Sequence, residues 1–283
     1  MRLSDQSDED EEKLLRLAEG CDPASLVLSP AEGFLLSRID GRTSRGVLRN
    51  PLAPPFAEMQ WSNFVDAWDK GNYATSMRNS ALLVAATVAG VLVVSGLAAY
   101  ALGRLKPPGS DALTMYMLAG TALPAQLFMV PLFFVWARLG LVNNLLGVVI
   151  IYWAVFSPFA TFLLRAYMAS LPADFEDAAR VDGASEWYIF WSIIRPLSWP
   201  GFLTAGLITG LAAWNEFLFA VTFLQQEELK TVTASLYSFN SRYERDWALT
   251  NAASVIMILP ALILFLLLQR RFIAGLTHGG LRA

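Results

Sequence analysis

Five stretches without a charged side chain limit what this chain can fold into. They run over residues 79–103, 112–137, 139–164, 196–215 and 247–269, and each is mostly apolar. A helix needs about 20 mostly apolar residues to cross the hydrocarbon core of a bilayer, and every one of these stretches is long enough. A buried helix of a soluble protein rarely avoids charge for that long. We therefore predict an all-α, polytopic membrane helix bundle with five spans.

Charge and reactive side chains exclude several classes of protein. Only 16% of the 283 residues are charged, whereas a soluble domain has about 25%. One cysteine, Cys21, and one histidine, His278, rule out a cysteine-based metal cluster and disfavour a Ser–His–Asp hydrolase. There is no GxxxxGK[ST] or GxGxxG motif, and the net charge of −3 disfavours nucleic-acid binding. We expect no cofactor, no metal and no nucleic acid, and we disfavour a membrane enzyme.

The amino-terminal part differs from the rest of the chain. Residues 1–20 are strongly acidic, and a secretory signal would instead begin with basic residues. No apolar run before residue 79 is long enough to span a bilayer. We predict an acidic soluble segment at 1–50, a linker or external loop at 51–77 and a membrane domain at 78–283. More lysine and arginine in the loops after the first, third and fifth spans favours the cytoplasm for that side.

The connection between the third and fourth spans has the pattern of two short helices. Pro172 suits a first helical turn, and acidic residues follow it, as the helix dipole favours. Gly183 can adopt the positive φ that ends a helix, and Ser185 can cap the next one. Ala178 and Ala179 leave one side low enough for close approach by another protein. These residues alone fit either an interfacial helix pair or an element that docks onto a partner.

This connection resembles the EAA loop in the permease subunits of binding-protein-dependent ABC importers. That loop has Glu-Ala-Ala and, three residues later, a glycine. Asp177-Ala178-Ala179 corresponds to the first group, with aspartate for glutamate, and Asp182-Gly183 to the second. The chain is most similar to carbohydrate permeases, in particular the second membrane subunit of maltose-type transporters. Other segments similar to that family follow in the same order, at residues 78–80, 99–104, 214–218 and 272–280.

The resemblance implies a function and a set of partners. In that family the loop docks onto a cytoplasmic ATP-hydrolysing subunit, and ATP binding there moves the membrane helices. It implies ATP-binding subunits, a second permease, an extracytoplasmic solute-binding protein and a sugar substrate, in the bacterial inner membrane. The permease itself would not be an enzyme, because its partners bind the ATP. The coupling residues that the resemblance implies are Glu176, Asp177, Ala178, Ala179, Asp182 and Gly183.

An acidic residue lies at the end of the fourth uncharged stretch. A charge within a span is costly, which makes Glu216 a functional candidate. Two interpretations stay open. In the first, Asn215 and Glu216 line a translocation path and offer hydrogen-bond acceptors to a sugar. In the second, Glu216 lies near the outer end of its span and bonds to a neighbouring helix.

The resemblance also raises an alternative function. Usual members of the family have six spans, and the first of them is not recognisable here. The chain could therefore be a degenerate subunit that does not transport. An importer permease for a solute other than a sugar is the remaining alternative, because substrate identity depends largely on partner proteins.

Overall fold

The structure is a computed structural model that describes residues 61–242 and 247–280, with side chains described for 61–237 and 247–267. The predictions for residues 1–50 therefore lie outside the described residues. Within the described part every regular element is helical, which confirms the all-α prediction. The α-helices are α1 Ser62–Lys70, α2 Tyr73–Tyr100, α3 Ser110–Thr121, α4 Met129–Arg138, α5 Leu145–Ala169, α6 Asp174–Val181, α7 Glu186–Ile189, α8 Arg195–Leu197, α9 Trp199–Asn215, α10 Leu218–Phe223, α11 Val232–Arg242 and α12 Trp247–Gly280.

Four short segments complete the helical path within the described residues. Two of them are π-helical turns, in which each N–H bonds to the carbonyl five residues earlier. They extend α2 over Ala101–Leu105 and α7 over Phe190–Ile194. Two 3-10 turns, Ala125–Phe128 and Glu227–Leu229, precede α4 and α11.

The predicted number of five spans is not confirmed. Among the residues that the structure describes, three helical segments are long and apolar enough to cross a membrane: Tyr73–Leu105, Leu145–Ala169 and Trp247–Leu267. The stretch predicted as the second span is bent by 86° between Ser110–Thr121 and Ala125–Arg138, and it makes a fourth span only if both parts count as one. The bend follows from Pro124, whose extended backbone (ψ 119°) and missing N–H interrupt the helix.

The stretch predicted as the fourth span is broken as well. Its helix, α9, has 17 residues, and the chain leaves helical geometry at Glu216 (ψ 131°). The six-residue helix α10 then follows. A stretch without charge indicates burial in an apolar solvent, but it does not determine whether one helix runs through its whole length.

Small residues bring the central helices together. α2 packs along α5, and α9 lies against both. Ser95 of α2 donates a hydrogen bond to the carbonyl of Ser157 in α5 at 3.0 Å. The indole of Trp153 lies over Gly90 and donates to the carbonyl of Ala86 at 3.0 Å. Phe202 of α9 packs over another α2 glycine in the same core cluster, so the three helices approach closely.

The two ends of this bundle carry different elements. At the end where α2 begins, Asn79 donates to the carbonyl of Glu228 at 2.7 Å, and Ser80 accepts the N–H of Val232 at 2.8 Å. These bonds hold α11 beside the start of α2, next to α1 and the first turns of α12. The α6–α7 pair lies at the opposite end, where α2 and α5 finish.

Candidate functional site

The predicted two-helix connection is formed by α6 and α7. Gly183 has φ +80° between them, and its N–H donates to the carbonyl of Arg180 at 3.0 Å. Ser185 caps α7, since its hydroxyl oxygen accepts the N–H of Tyr188 at 3.3 Å. Only glycine adopts that φ without a steric penalty, so the tight turn depends on Gly183. The predicted turn and the predicted cap are both confirmed.

One of the predicted coupling residues faces the inside of the protein. The side chain of Glu176 is 4% exposed and that of Arg104 is 10% exposed. Arg104 Nε donates to Glu176 Oε1 at 2.6 Å. Other guanidinium N–H groups donate to the carbonyls of Met168 at 3.3 Å, Leu171 at 3.0 Å and Pro172 at 3.4 Å. Arg104 therefore joins the end of α2 to the end of α5 and the start of α6.

A second set of bonds joins α6 to α7. Arg180 Nε donates to Glu186 Oε1 at 2.8 Å, and its terminal nitrogens reach Asp177 at 3.1 Å and Glu176 at 3.3 Å. Tyr100 of α2 donates its hydroxyl to Glu186 Oε2 at 2.5 Å. The hydrogen bond from Arg180 lowers the pKa of Glu186 most, and the bond from Tyr100 adds to this effect. The same bond to Glu186 raises the pKa of Arg180. The pair is thus held as one unit against the end of α2.

The π-helical turn at the end of α2 determines where Arg104 points. It closes with the N–H of Lys106 bonded to the carbonyl of Ala101 at 2.9 Å. A π-turn is wider than an α-turn, so it changes the direction in which each side chain leaves the helix. Gly103 lets this turn approach Arg165 of α5, because a Cβ there would lie 3.1 Å from the arginine Cγ. Sequence reasoning placed Arg104 in a family-like segment but did not predict its partner.

The remaining predicted coupling residues lie on or near the outer surface of the pair. Ala179 is half-buried and packs against the core cluster that contains Ile189 and Ile194. Two large apolar side chains of α6 also face outward, with Phe175 51% and Val181 88% exposed. Of the six predicted residues, the exposed ones are Asp177, Ala178, Asp182 and Gly183.

Glu216 is engaged in hydrogen bonds within the chain. Its carboxylate accepts the hydroxyl of Tyr152 at 2.5 Å and the N–H groups of Phe219 at 2.9 Å and Ala220 at 3.1 Å. Its backbone carbonyl accepts the hydroxyl of Thr233 at 2.9 Å. The side chain thus caps α10 at the break after α9 and bonds to α5. These contacts are those of the second interpretation, a bond to neighbouring helices.

An open cleft adjoins this break. Asn215 is exposed, and its Nδ2 donates to the carbonyl of Leu211 at 2.8 Å, which leaves the amide oxygen as an acceptor. The cleft has a volume of about 340 Å³ and combines two aromatic rings, whose centroids are 5.1 Å apart, with four hydroxyl groups, one of them the phenol of Tyr237. Its lining residues are Phe217, Thr233, Leu236, Tyr237, Thr250, Ser254 and Met257.

Comparison with known families identifies the class of protein. Residues 92–278 match the family described as the inner membrane component of binding-protein-dependent transport systems. The chain belongs to this family. The matched region includes the last part of α2, the two-helix connection and the Glu216 break, so the resemblance predicted from the sequence is confirmed.

Several relatives of this chain are named as permease proteins of transport systems. It is 34% identical over 220 residues to the probable ABC transporter permease protein YurM of Bacillus subtilis, covering 78% of this chain and 73% of the relative. It is 32% identical over 244 residues to the arabinooligosaccharides transport system permease protein AraQ of Halalkalibacterium halodurans, covering 85% and 87%. It is 29% identical over 259 residues to the diacetylchitobiose uptake system permease protein NgcG of Streptomyces coelicolor, covering 91% and 85%.

Two solved structures have a similar fold. A bacterial ABC transporter involved in the import of the acidic polysaccharide alginate matches with a TM-score of 0.65 and 25% identity, covering 75% of this chain and 80% of that one. The methionine ABC transporter MetNI matches with a TM-score of 0.53 and 13% identity, covering 72% and 95%, a likeness of fold alone. The predicted architecture of an ABC importer permease is therefore confirmed.

These findings establish what this permease is at the level of its family. It is a multi-pass permease subunit of an ABC importer in the bacterial plasma membrane, as the sequence predicts. That assignment is favoured over the degenerate, non-transporting alternative. Membership of a binding-protein-dependent transport family implies ATP-binding subunits, a second permease and a solute-binding protein.

Proposed function

We propose that this permease imports an oligosaccharide, driven by ATP that its partner subunits bind and hydrolyse. Two relatives named above are permeases for arabinooligosaccharides and diacetylchitobiose. A third, the melibiose/raffinose/stachyose import permease protein MelC of Bacillus subtilis, is 30% identical over 227 residues. The absence of a phosphate-binding motif from the sequence is consistent with ATP bound only by partners.

The observation that carries the coupling proposal is the buried ion pair between Arg104 and Glu176. A helix that receives force from a partner must be fastened to the spans that it moves. Glu176 makes this connection on the inner side of α6, because its Oε1 accepts a hydrogen bond of 2.6 Å from Arg104 Nε in the π-helical turn that extends α2. We therefore assign Glu176 to anchoring, and not to direct contact with the ATP-binding subunit.

The outer side of α6 is proposed as the contact surface for an ATP-binding subunit. Asp177 and Ala178 of α6 are exposed, together with Asp182 and Gly183 of the turn that follows it, and the four residues combine two acids with a low backbone profile. Phe175 adds an exposed ring that a partner groove would bury. Ala179 lies between the two sides, half-buried against the bundle. Force on the outer side would then reach α2 and α5 through Arg104.

The proposed substrate path runs past Asn215 and the adjoining cleft. Sugars present hydroxyl groups and apolar C–H faces, and sites for them combine polar side chains with aromatic rings. Asn215 is exposed and keeps an acceptor oxygen, whereas the carboxylate of Glu216 already accepts three hydrogen bonds. We therefore assign substrate contact to Asn215 and a positioning role to Glu216.

A matched pair of glycine substitutions tests the coupling proposal. Gly183→Ala and Gly140→Ala both place a side chain at a positive φ, +80° and +68°, and neither meets an atom within 4 Å. Each substitution should therefore cost the same, about 1–2 kcal/mol. Gly183 lies between the two helices, whereas Gly140 lies at the other end of α5. Only Gly183→Ala should affect α6 and α7, which we call the coupling helices.

The assay is ATP-dependent uptake by the complex assembled with the products of neighbouring genes, using a panel of labelled oligosaccharides. A penalty of 1–2 kcal/mol lowers the equilibrium constant for the native turn by a factor of about 5–30, so we expect Gly183→Ala to lower uptake per ATP hydrolysed by up to that factor. Gly140→Ala should leave the ratio unchanged. Equal ratios in both variants would contradict the coupling role. An assembled wild-type complex that imports no oligosaccharide would instead contradict the substrate class and leave the non-sugar alternative.

A further inference from the structure

The helix before the first span is amphipathic. The described part of residues 51–77, the predicted linker or external loop, contains α1, Ser62–Lys70. Trp61, Phe64, Val65 and Trp68 recur at the i, i+3, i+4 and i+7 spacing of one helix face. The charged residues fall on the opposite side. An amphipathic helix requires an apolar surface against which its face can lie.

The bundle covers only part of that apolar face. Ala67 is fully buried against Leu249, Ala252 and Ala253 of α12, and Phe64 packs partly against the same cluster. The rest of the face points away from the bundle. Its three large side chains are Trp61, Val65 and Trp68, which are 67%, 62% and 41% exposed.

The polar side of α1 is suited to water. Lys70 Nζ lies 3.4 Å from Asp66 Oδ2, and both side chains are about half exposed. Asp69 is exposed on the same side. α1 therefore presents a charged strip and an indole-rich apolar strip to its surroundings, in two different directions.

α1 lies at the end of the bundle where two segments that are apolar enough to cross a membrane begin. Asn72, with φ +48°, turns the chain from α1 into α2, and Tyr73 is fully buried beneath α1. Tyr73 of α2 and the start of α12 belong to one apolar cluster with Ala67 of α1. Both α2 and α12 belong to segments that are apolar enough to cross a membrane. Trp247, at the start of α12, is 74% exposed. Tryptophan is enriched at membrane–water interfaces, because its ring is apolar and its N–H is polar.

We propose that α1 lies in the bilayer interface opposite the coupling helices, with Trp61, Val65 and Trp68 in the boundary between headgroups and acyl chains. Asp66 and Asp69 then face the water. The partner is the lipid surface, because the open strip is apolar and indole-rich and continues from two spans at the level where they leave the hydrocarbon. In this position α1 fixes the depth and direction at which α2 begins.

A single-cysteine experiment tests this placement. Cys21→Ser removes the only native thiol. Val65→Cys then places an environment-sensitive fluorophore on the open apolar strip, and Asp66→Cys places it one residue away on the polar side. Both are exposed positions of the same helix, so both labels are tolerated on equal terms. Each labelled permease is reconstituted in phosphatidylcholine–phosphatidylglycerol vesicles, with or without lipid that carries a nitroxide near the top of the acyl chain.

The expected result is selective quenching at residue 65. Interfacial helices bury their apolar face about 5–10 Å into the boundary, so nitroxide quenching at Val65→Cys should exceed that at Asp66→Cys by about twofold or more. Ile258→Cys, exposed on α12 within a span, is the positive control for insertion. Equal quenching at 65 and 66 would overturn the proposal. Shielding of residue 65 from aqueous iodide without lipid quenching would also overturn it, because a protein surface would then be the partner.

Discussion

Arg104→Met removes the side chain that fastens the coupling helices to the bundle. Methionine preserves much of the unbranched apolar stem but donates no hydrogen bond. The carboxylate of Glu176, which is 4% exposed, loses its 2.6 Å partner, and three backbone carbonyls lose a donor. Arg180 still reaches the other carboxylate oxygen at 3.3 Å, so the charge is not left entirely alone.

The magnitude follows from this geometry. Removal of one partner from a buried ion pair costs about 3–5 kcal/mol, and the residual contact with Arg180 favours the lower end, about 3 kcal/mol. Because 1.4 kcal/mol is about a factor of ten, the equilibrium constant for docking of α6 should fall about 100-fold. Glu176→Gln keeps an amide oxygen for Arg104 but loses the longer contact with Arg180, so its cost is smaller than that of Arg104→Met, about 1.5 kcal/mol. That corresponds to about tenfold.

Hydrogen exchange followed by mass spectrometry measures this release directly. Amides of α6 should exchange about 100-fold faster in Arg104→Met and about tenfold faster in Glu176→Gln. Amides at the start of α5 serve as the internal control and should not change. If α6 exchanges at the wild-type rate in Arg104→Met, the anchoring argument is refuted. If α5 accelerates equally, the arginine stabilises the whole bundle and not the local contact.

Two further glutamates and two helical glycines offer separate tests. Hydrogen bonding by Arg180 lowers the pKa of Glu186 below its usual 4.5, so its stabilisation is present above that pH and lost as the pH falls through the lowered value. Melting temperatures of wild type and Glu186→Gln should therefore converge only below pH 4.5; convergence at neutral pH would contradict the contact. Glu216→Ala removes the cap of α10 and should lower the free energy of unfolding by about 1–3 kcal/mol. A denaturation midpoint equal to that of the wild type would contradict the capping role. Gly96→Ala would place a methyl group 2.8 Å from an aromatic ring and should destabilise by about 1–3 kcal/mol. As the control, the Cβ of Gly120→Ala meets nothing within 4 Å, and this substitution should stabilise the protein by up to about 1 kcal/mol. Equal melting temperatures of Gly96→Ala and Gly120→Ala would contradict the close α2–α9 packing.

Features that depend on neighbouring residues were predictable from the sequence. The turn at Gly183 and the cap at Ser185 are local, because each involves a backbone group within three residues. The membrane bundle followed from apolar length, since transfer from water to hydrocarbon is approximately additive along a helix. The number of spans did not follow in the same way, because breaks at Pro124 and Glu216 divide stretches of uniform hydropathy.

The direction of a charged side chain depended on distant residues. The family resemblance implied that Glu176 is a coupling residue, but it did not show that the main partner of Glu176 is Arg104, 72 residues earlier. Glu216 similarly bonds to Tyr152, 64 residues away, in addition to the amides that it caps. No spacing rule connects residues so far apart in the chain.

The sequence by itself therefore determined that the chain folds in a lipid bilayer, that it is helical, which family it belongs to and what local geometry the two-helix connection has. These depend on hydropathy and on conformational preferences that act within a few residues. The tertiary structure decided which acidic residues anchor and which remain exposed, and where the apolar helix α1 lies. A buried charge or an apolar face must be matched by whatever surface the fold brings against it, and that surface comes from residues far away in the sequence.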